Sequence, residues 1–337
     1  MSKQLETILP IWYANKDQFK WALCTIIKVT GSSYRKAGAM MLVNDMGQML
    51  GMLSGGCLEK DLQKQATQCW LVGANRVTNY SFTDDSEGWQ LGLGCGGDID
   101  VLVQPINQQN GYLDLPNLLA KLTNNEHVLY VQNFSNKLSV GNICMPKNSK
   151  ISLLNQLDLN NSTETFSHLI KPVPTILVCG GGPDAVPLTN ILHILGWKCI
   201  VVDERVGYAR KTDFPTVSDV RKIPFAQLHE YPELKNVDAI VCMTHQVNFD
   251  AFSISFAQHT KANFVGLLGP VHRTTKVLEM AGLTYATLTK PLSNPIGLNI
   301  GGELPESIAL SIVSQLHGVL EGRSSIEKTA EQNSCAG

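Results

Sequence analysis

The sequence predicts an α/β protein, with an N-terminal α+β domain followed by a C-terminal domain built on a parallel sheet. Three observations carry this prediction. At 337 residues and about 150 residues per domain, the chain holds roughly two compact domains. The second half contains short, almost wholly apolar runs, "TILVC", "CIVVD" and "AIVCM", separated by helical patterns, as strands covered on both faces require. The first hundred or so residues instead mix strand patterns with one amphipathic helix and hold most of the glycine motifs.

The first domain spans residues 1–106. It opens with a short helix ending by Lys20 and continues with a β-rich run over residues 21–30. Strands are predicted at 39–44, 48–53, 76–82 and 98–105. Among them, residues 58–71 read as a helix, because Leu58, Leu62, Gln65, Ala66 and Cys69 share one side. Residues 107–170 are rich in Asn and Gln, which predicts exposed connecting structure with one hairpin near 128–143.

The second domain spans residues 171–320. Strands at 175–179, 198–203, 238–243 and 264–268 alternate with helices at 184–195, 249–259 and 272–281, a Rossmann-like succession. A last helix follows Pro305, a residue favoured in a first turn, and carries Ile308, Ile312, Val313, Leu316 and Leu320 on one stripe. Residues 321–337 read as a flexible polar tail.

Charged residues make up 17% and the formal net charge is -2, so no whole-protein field is available to hold nucleic acid. No window approaches the 18 or so apolar residues of a membrane span, and the start lacks a basic segment followed by an apolar one. A soluble, cytoplasmic protein is expected. Its nine cysteines form no regular framework and are expected to be reduced. Cys242 and His245 make one Cys-x-x-His, but strand alternation sends them to opposite faces, against a zinc site.

After "TILVC" comes Gly180-Gly181-Gly182-Pro183-Asp184-Ala185, which satisfies Gly-x-Gly-x-x-Ala, and Asp203 ends the next strand. This places Gly180, Gly182 and Asp203 as candidate residues for a dinucleotide such as NAD(P). Thr244 and His245 join them at the carboxyl edge of the third strand, or else cap the helix that follows. Pro183 removes an amide donor, and Asp184 sets a negative charge where a pyrophosphate would lie. The alternative is that the glycines simply make the turn.

The sharper signal lies in the first domain. In "SGGCLEKDL", Cys57 follows Gly55 and Gly56 at the start of a helix, where free amides and the helix dipole favour a thiolate. In "LGLGCGGDID", Cys95 sits between Gly94 and Gly96-Gly97, which leaves its sulfur accessible and lets amides close on an anion. "TGSSYRKAGAMMLV" adds Ser33 and Arg35, groups of the kind that hold a phosphate. Cys24, Cys69, Cys144, Cys179, Cys199 and Cys242 read as packing residues. The pattern is one of thiolates in a glycine-rich, anion-binding cradle.

Taken with "LVCGGGPDAVPL", "VVDER", "VCMTH", "VGLLG" and "PIGLNIGGELPESIALSI", these motifs resemble the XdhC/CoxI family of xanthine dehydrogenase accessory proteins. The resemblance covers residues 21–320 in the family's order. It implies a homodimeric chaperone, not an enzyme, that holds the molybdenum cofactor (molybdopterin with its metal) while a cysteine desulfurase supplies sulfur. The chaperone then hands the cofactor to a xanthine dehydrogenase type molybdenum hydroxylase. By the same resemblance Cys57 and Cys95 lie at the cofactor and contact molybdenum, with Arg35, Ser33 and Gly55, Gly56, Gly94, Gly96 and Gly97 around the phosphate. Two departures are visible: Pro183 replaces the family's histidine in the second-domain turn, and of its paired arginines only Arg273 remains. An oxidoreductase using NAD(P) at the second-domain turn is the alternative function, and a cofactor-free scaffold is a third.

Overall fold

The computed structural model describes residues 4–56, 58–81, 97–134, 141–147, 149 and 165–322. The chain divides into two compact units, Met1–Pro172 and Val173–Gly337.

The first unit is built on a five-stranded antiparallel sheet of order β3-β2-β1-β5-β4. Its strands are β1 (Trp21–Thr30), β2 (Met40–Asn44), β3 (Met49–Gly51), β4 (Arg76–Ser81) and β5 (Asp98–Ile106). Period-two alternation along β1 divides its side chains between the two faces. Ala22, Cys24 and Ile26 pack under helix α2 (Glu59–Val72), with its Leu62, Ala66 and Cys69. Trp21 and Leu23 pack on the other face with Leu9 and Trp12 of helix α1 (Leu5–Asn15).

Residues 107–170 are more than connecting structure. Helix α3 (Leu115–Thr123) and strands β6 (Val128–Asn133), β7 (Ile143–Pro146) and β8 (Thr165–Ile170) occupy this stretch, the strands forming a sheet of order β7-β6-β8. Leu115, Leu118 and Leu122 recur at helical spacing, and with Val128 and Tyr130 they are fully buried in the same cluster as Trp12 and Trp21. Each such side chain contributes about 1.5–3 kcal/mol of burial, which makes the stretch part of the core. The amide-rich composition misleads because several amides are internal. Gln132 donates to Thr25 Oγ1 and Gln104 Oε1, both at 3.0 Å, and Asn142 donates to Gln104 Oε1 and the Tyr130 hydroxyl, both at 2.9 Å. Buried amides that bond one another escape most of the cost of leaving water. The expected hairpin is present, with Val131 opposite Ile143.

The second unit is a six-stranded sheet of order β11-β10-β9-β12-β13-β14 in which every pairing is parallel. Its strands are β9 (Thr175–Cys179), β10 (Lys198–Val202), β11 (Asp219–Arg221), β12 (Ala239–Cys242), β13 (Phe264–Leu267) and β14 (Leu292–Ser293). Helices α4 (Ala185–Leu195) and α7 (Pro305–Leu320) cover one face through Leu188, Leu192, Ile312 and Leu316. Helices α5 (Val247–Ala257) and α6 (Val271–Met280) cover the other through Ile254, Ala257, Val277 and Leu278. This is the expected Rossmann-like arrangement. All six expected packing cysteines are buried and free.

Candidate functional site

In the first unit the strand register gathers the motif loops at one sheet edge. Thr30, the last residue of β1, lies opposite Asp98 at the start of β5, and Asp98 lies opposite Ser81 at the end of β4. On the other side Thr25 pairs with Met40, and Met41 pairs with Gly51 at the end of β3. The loop holding Ser33 and Arg35, the turn holding Gly55 and Gly56, and the approach to β5 at Gly97 therefore all leave the sheet at the same edge. Gly97 is tightly held there: a Cβ on it would lie 2.3 Å from the Ser32 carbonyl oxygen and 2.7 Å from the Ser32 amide nitrogen. Only glycine permits this approach of two backbones.

The loop between β1 and β2 is exposed at Arg35 and Lys36, and neither side chain has a partner among the described residues. Ser33 turns inward along the loop and donates from Oγ to the Arg35 carbonyl at 2.5 Å. Beyond β3, Ser54 Oγ accepts from the amides of Gly56 (3.2 Å) and Leu58 (3.1 Å) and donates to Glu59 Oε2 at 2.6 Å. Two amides expected to be free for an anion are thus engaged by Ser54, and regular helix begins at Glu59. At Gly55 and Gly56 an added Cβ would meet nothing within 4 Å among the described residues, so the turn is open on that side. Cys57, Cys95, Gly94 and Gly96 lie outside the described residues.

In the second unit Gly180 has φ +120°, and a Cβ there would lie 2.5 Å from the Met243 carbonyl oxygen. The turn it makes is closed over by the chain itself. The amide of Ala209 donates to the Gly181 carbonyl at 3.0 Å, and a Cβ on Gly181 would meet Ala209 at 2.6 Å. Asp203 is fully buried and accepts four hydrogen bonds: from the amides of Gly181 (2.8 Å) and Arg205 (2.9 Å), and from Arg205 Nε (2.9 Å) and Nη2 (2.6 Å). Burial alone pushes its carboxyl pKa up, but Arg205 and the two amides outweigh that and hold it below the ordinary value. The acid that would bind a ribose in a dinucleotide site is thereby tied to the fold. The same guanidinium donates to the Thr244 carbonyl at 2.9 Å and lies 3.8 Å from the Tyr208 ring centre.

Thr244 and His245, adjacent in sequence, do different things. Thr244 is fully buried, and its Oγ1 donates to Asp250 Oδ1 at 2.7 Å and accepts from the Gln246 amide at 3.1 Å, just before α5. Asp250 also pairs with Arg273, the remaining family cation, whose Nη1 donates to the Leu268 carbonyl at 3.1 Å. His245 instead stands at the surface with φ +61°, its Nε2 2.7 Å from Asp184 Oδ2. That carboxylate raises the imidazole pKa above its ordinary value. Cys242 lies opposite Cys179 in the β9–β12 register, turned away from His245.

Sequence reasoning missed Arg205 and the Asp184–His245 pair. The first was visible in "VVDER", where a cation follows the candidate ribose acid by two positions. The second joins residues 61 apart and carries no local signal. Among the described residues no group of three or more His, Cys, Asp or Glu side chains is disposed to hold a metal, and no helix is long and apolar enough to cross a membrane.

An antiparallel α+β unit carrying glycine-rich loops, followed by a Rossmann-like unit with a glycine-rich first turn, defines a narrow class. Residues 16–81 match the model of the XdhC and CoxI family, and residues 176–316 match that of the XdhC Rossmann domain. The chain is 30% identical over 316 residues to a probable xanthine dehydrogenase subunit of Bacillus subtilis, covering 89% of this chain and 93% of the relative. It is 20% identical over 315 residues to the molybdenum cofactor insertion chaperone PaoD of Escherichia coli, covering 93% and 85%. A crystal structure described as a xanthine dehydrogenase from Bacillus halodurans superposes with a TM-score of 0.79 at 28% identity, covering 96% of this chain and 97% of the other. This chain belongs to the XdhC/CoxI family.

Proposed function

We propose that this protein is an accessory factor for the molybdenum cofactor. It receives the metal-bound pterin, protects it while a cysteine desulfurase supplies the terminal sulfur, and delivers it to a xanthine dehydrogenase type hydroxylase. The protein works as a homodimer and turns over no substrate of its own. The observation that carries this reading is the convergence of three motif loops at one edge of the antiparallel sheet. Two cations without partners among the described residues, Arg35 and Lys36, stand at that edge, as does the open turn at Gly55 and Gly56.

The chemistry follows from the residue types. A pterin phosphate is attracted by Arg35 and Lys36, and the guanidinium offers a planar fork to its oxygens. Cys57, directly after Gly56, and Cys95, two residues before Gly97, supply thiolates, which are soft ligands suited to molybdenum. The cofactor is cargo here, so the site must release it, and loops with few side-chain partners suit that need. The name of the Escherichia coli relative, a chaperone for insertion of this cofactor, supports the same reading.

The test is transfer. Purified protein from a cofactor-producing host is mixed with a cofactor-free hydroxylase, with and without a cysteine desulfurase, and hydroxylase activity is followed. Activation that needs both this protein and Cys57 is expected. Equal activation by free cofactor, or by the Cys57→Ala variant, would overturn the proposal.

A further inference from the structure

The first unit holds a groove that the cofactor reading does not use. At the end of the antiparallel sheet opposite the motif loops, Trp21 at the start of β1 pairs with Ile106 at the end of β5. A cavity of about 310 Å³ opens there, with Phe19, Trp70 and Tyr112 in its walls and Pro105 and Ile106 beside them. That volume falls at the lower end of the range of small-molecule sites, about 300–1,000 Å³. The three aromatic residues are half-buried, and each is fixed by a partner. Phe19 meets Trp21 edge to face at 6.4 Å, Trp70 Nε1 donates to the Trp21 carbonyl at 2.9 Å, and Tyr112 meets Trp12 edge to face at 6.3 Å.

The turn that carries Tyr112 is strained. Gly111, Tyr112, Leu113 and Asp114 have φ of +62°, +54°, +55° and +57°, a left-handed run that side-chain-bearing residues seldom adopt singly and rarely in series. Three bonds keep it: the Tyr112 amide to the Asn107 carbonyl at 2.9 Å, the Tyr130 hydroxyl to the Leu113 carbonyl at 2.6 Å, and the Cys144 amide to Asp114 Oδ2 at 2.7 Å. Backbone held against its preference in this way concentrates at functional sites, and this run sets Tyr112 in the groove wall. The charged groups of the groove are unequally committed. Asp17 accepts from the Tyr112 hydroxyl at 2.6 Å and pairs with Lys16, whose Nζ lies 4.4 Å from the Tyr112 ring centre. Lys20 is exposed, and its ammonium has no partner among the described residues, nor do Asn107 Nδ2 and the Gln108 side-chain amide. Asp45 accepts from the Lys20 backbone amide at 3.2 Å and does not line the groove. The uncommitted lining groups are thus mostly donors, one of them cationic.

We infer that this groove binds a small planar aromatic carboxylate. The ring packs among Phe19, Trp70 and Tyr112, where offset and edge-to-face contacts between aromatic rings add to the burial of its surface. The carboxylate accepts from Lys20 Nζ and from the Gln108 amide, and the bond to the ammonium is the stronger because both partners are charged. A cationic ring compound is opposed by Lys16 and Lys20, and Asp17, the one lining carboxylate, is already taken. The inference does not rest on the cargo reading, whose loops leave the sheet at the other end.

The experiment is calorimetric titration of the full chain with indole-3-acetate, indole-3-acetamide and tryptamine, which share one ring and differ in charge. Saturable binding is expected to weaken in that order, the amide by about threefold or more relative to the acid, since the ion pair with Lys20 is lost. Lys20→Gln should bring the acid to the affinity of the amide and leave the amide unchanged. Added salt should weaken the acid and spare the amide. Phe19→Leu and Tyr112→Asn should each weaken both compounds. Asparagine tolerates the left-handed region, so the second variant removes a ring without adding strain. Thermal melts confirm that each variant is folded. Absence of saturable binding by indole-3-acetate at millimolar concentration would overturn the inference. So would equal affinity for acid, amide and amine, or an affinity for the acid that Lys20→Gln leaves unchanged. Loss of cofactor binding at the motif loops leaves these results untouched, so the two proposals fail separately.

Discussion

Replacing Arg205 with methionine separates a structural Asp203 from a ligand-binding one. Asp203 is fully buried, and the substitution removes its two guanidinium donors, at 2.9 and 2.6 Å, while leaving the amides of Gly181 and residue 205 in place. Breaking a buried ion pair from one side costs about 3–5 kcal/mol. Because two amides remain, the lower end applies, ~3 kcal/mol, which is a little over a hundredfold in the opening equilibrium. Native-state hydrogen exchange at the β9 and β10 amides reads this directly, since β9 is one of the two middle strands of the sheet and β10 pairs with it. Asp203→Asn combined with Arg205→Met should recover part of the loss, because the orphaned charge is gone, giving a clear coupling in the double-mutant cycle. Asp203 has a depressed pKa in the fold, so its contribution is present above the ordinary carboxylate range and is lost as pH falls below it. A loss under about 1 kcal/mol in Arg205→Met would refute the claim that Arg205 ties this acid to the fold.

Three further outcomes follow from the same geometry. His168 is largely buried with neither ring nitrogen bonded, and burial lowers its pKa to about 4. The unfolded chain therefore takes up its proton first as pH falls, and stability of the first unit should drop by about 2 kcal/mol between pH 6.5 and 4.5. Urea unfolding followed by tryptophan fluorescence, with four of the chain's five tryptophans in residues 1–172, should show that slope, and His168→Leu should flatten it. Gly97→Ala forces a Cβ to 2.3 Å from the Ser32 carbonyl oxygen and should cost about 1–3 kcal/mol, read as a lower midpoint in the same titration. Arg35→Ala with Lys36→Ala, by contrast, should change stability by less than about 0.5 kcal/mol yet weaken cofactor retention. Retention by the wild type, but not by the double variant, should fall steeply with added salt.

The two halves of the fold were legible to different degrees, for physical reasons. Strands such as "TILVC" and "AIVCM" are apolar on both faces because helices cover both, and their order and spacing announce a parallel sheet without help from distant contacts. Residues 107–170 defeated the same reasoning. Gln104, Gln132 and Asn142 solvate one another inside the protein, and a composition rule that equates amides with exposure cannot register a partner in another strand. At the dinucleotide signature the glycines and Asp203 are present, Asp203 is bonded to Arg205, and the Gly181 carbonyl accepts from the Ala209 amide. The opposing signals at Pro183 and Asp184 were in the sequence. What Asp184 does instead, pairing with His245, depends on the adjacency of β9 and β12. The position of Thr244 suits a cap and a ligand group alike, and its hydroxyl is bonded to Asp250 and Gln246 inside the protein.

The most direct measurement is the molybdenum and pterin content of the protein purified from a host that makes the cofactor. The proposed role predicts molybdenum and pterin in equal amounts on the wild-type chain, strongly reduced in Cys57→Ala and in Cys95→Ala at unchanged thermal stability. Wild-type protein carrying neither would contradict it, as would a pterin content indifferent to both cysteines.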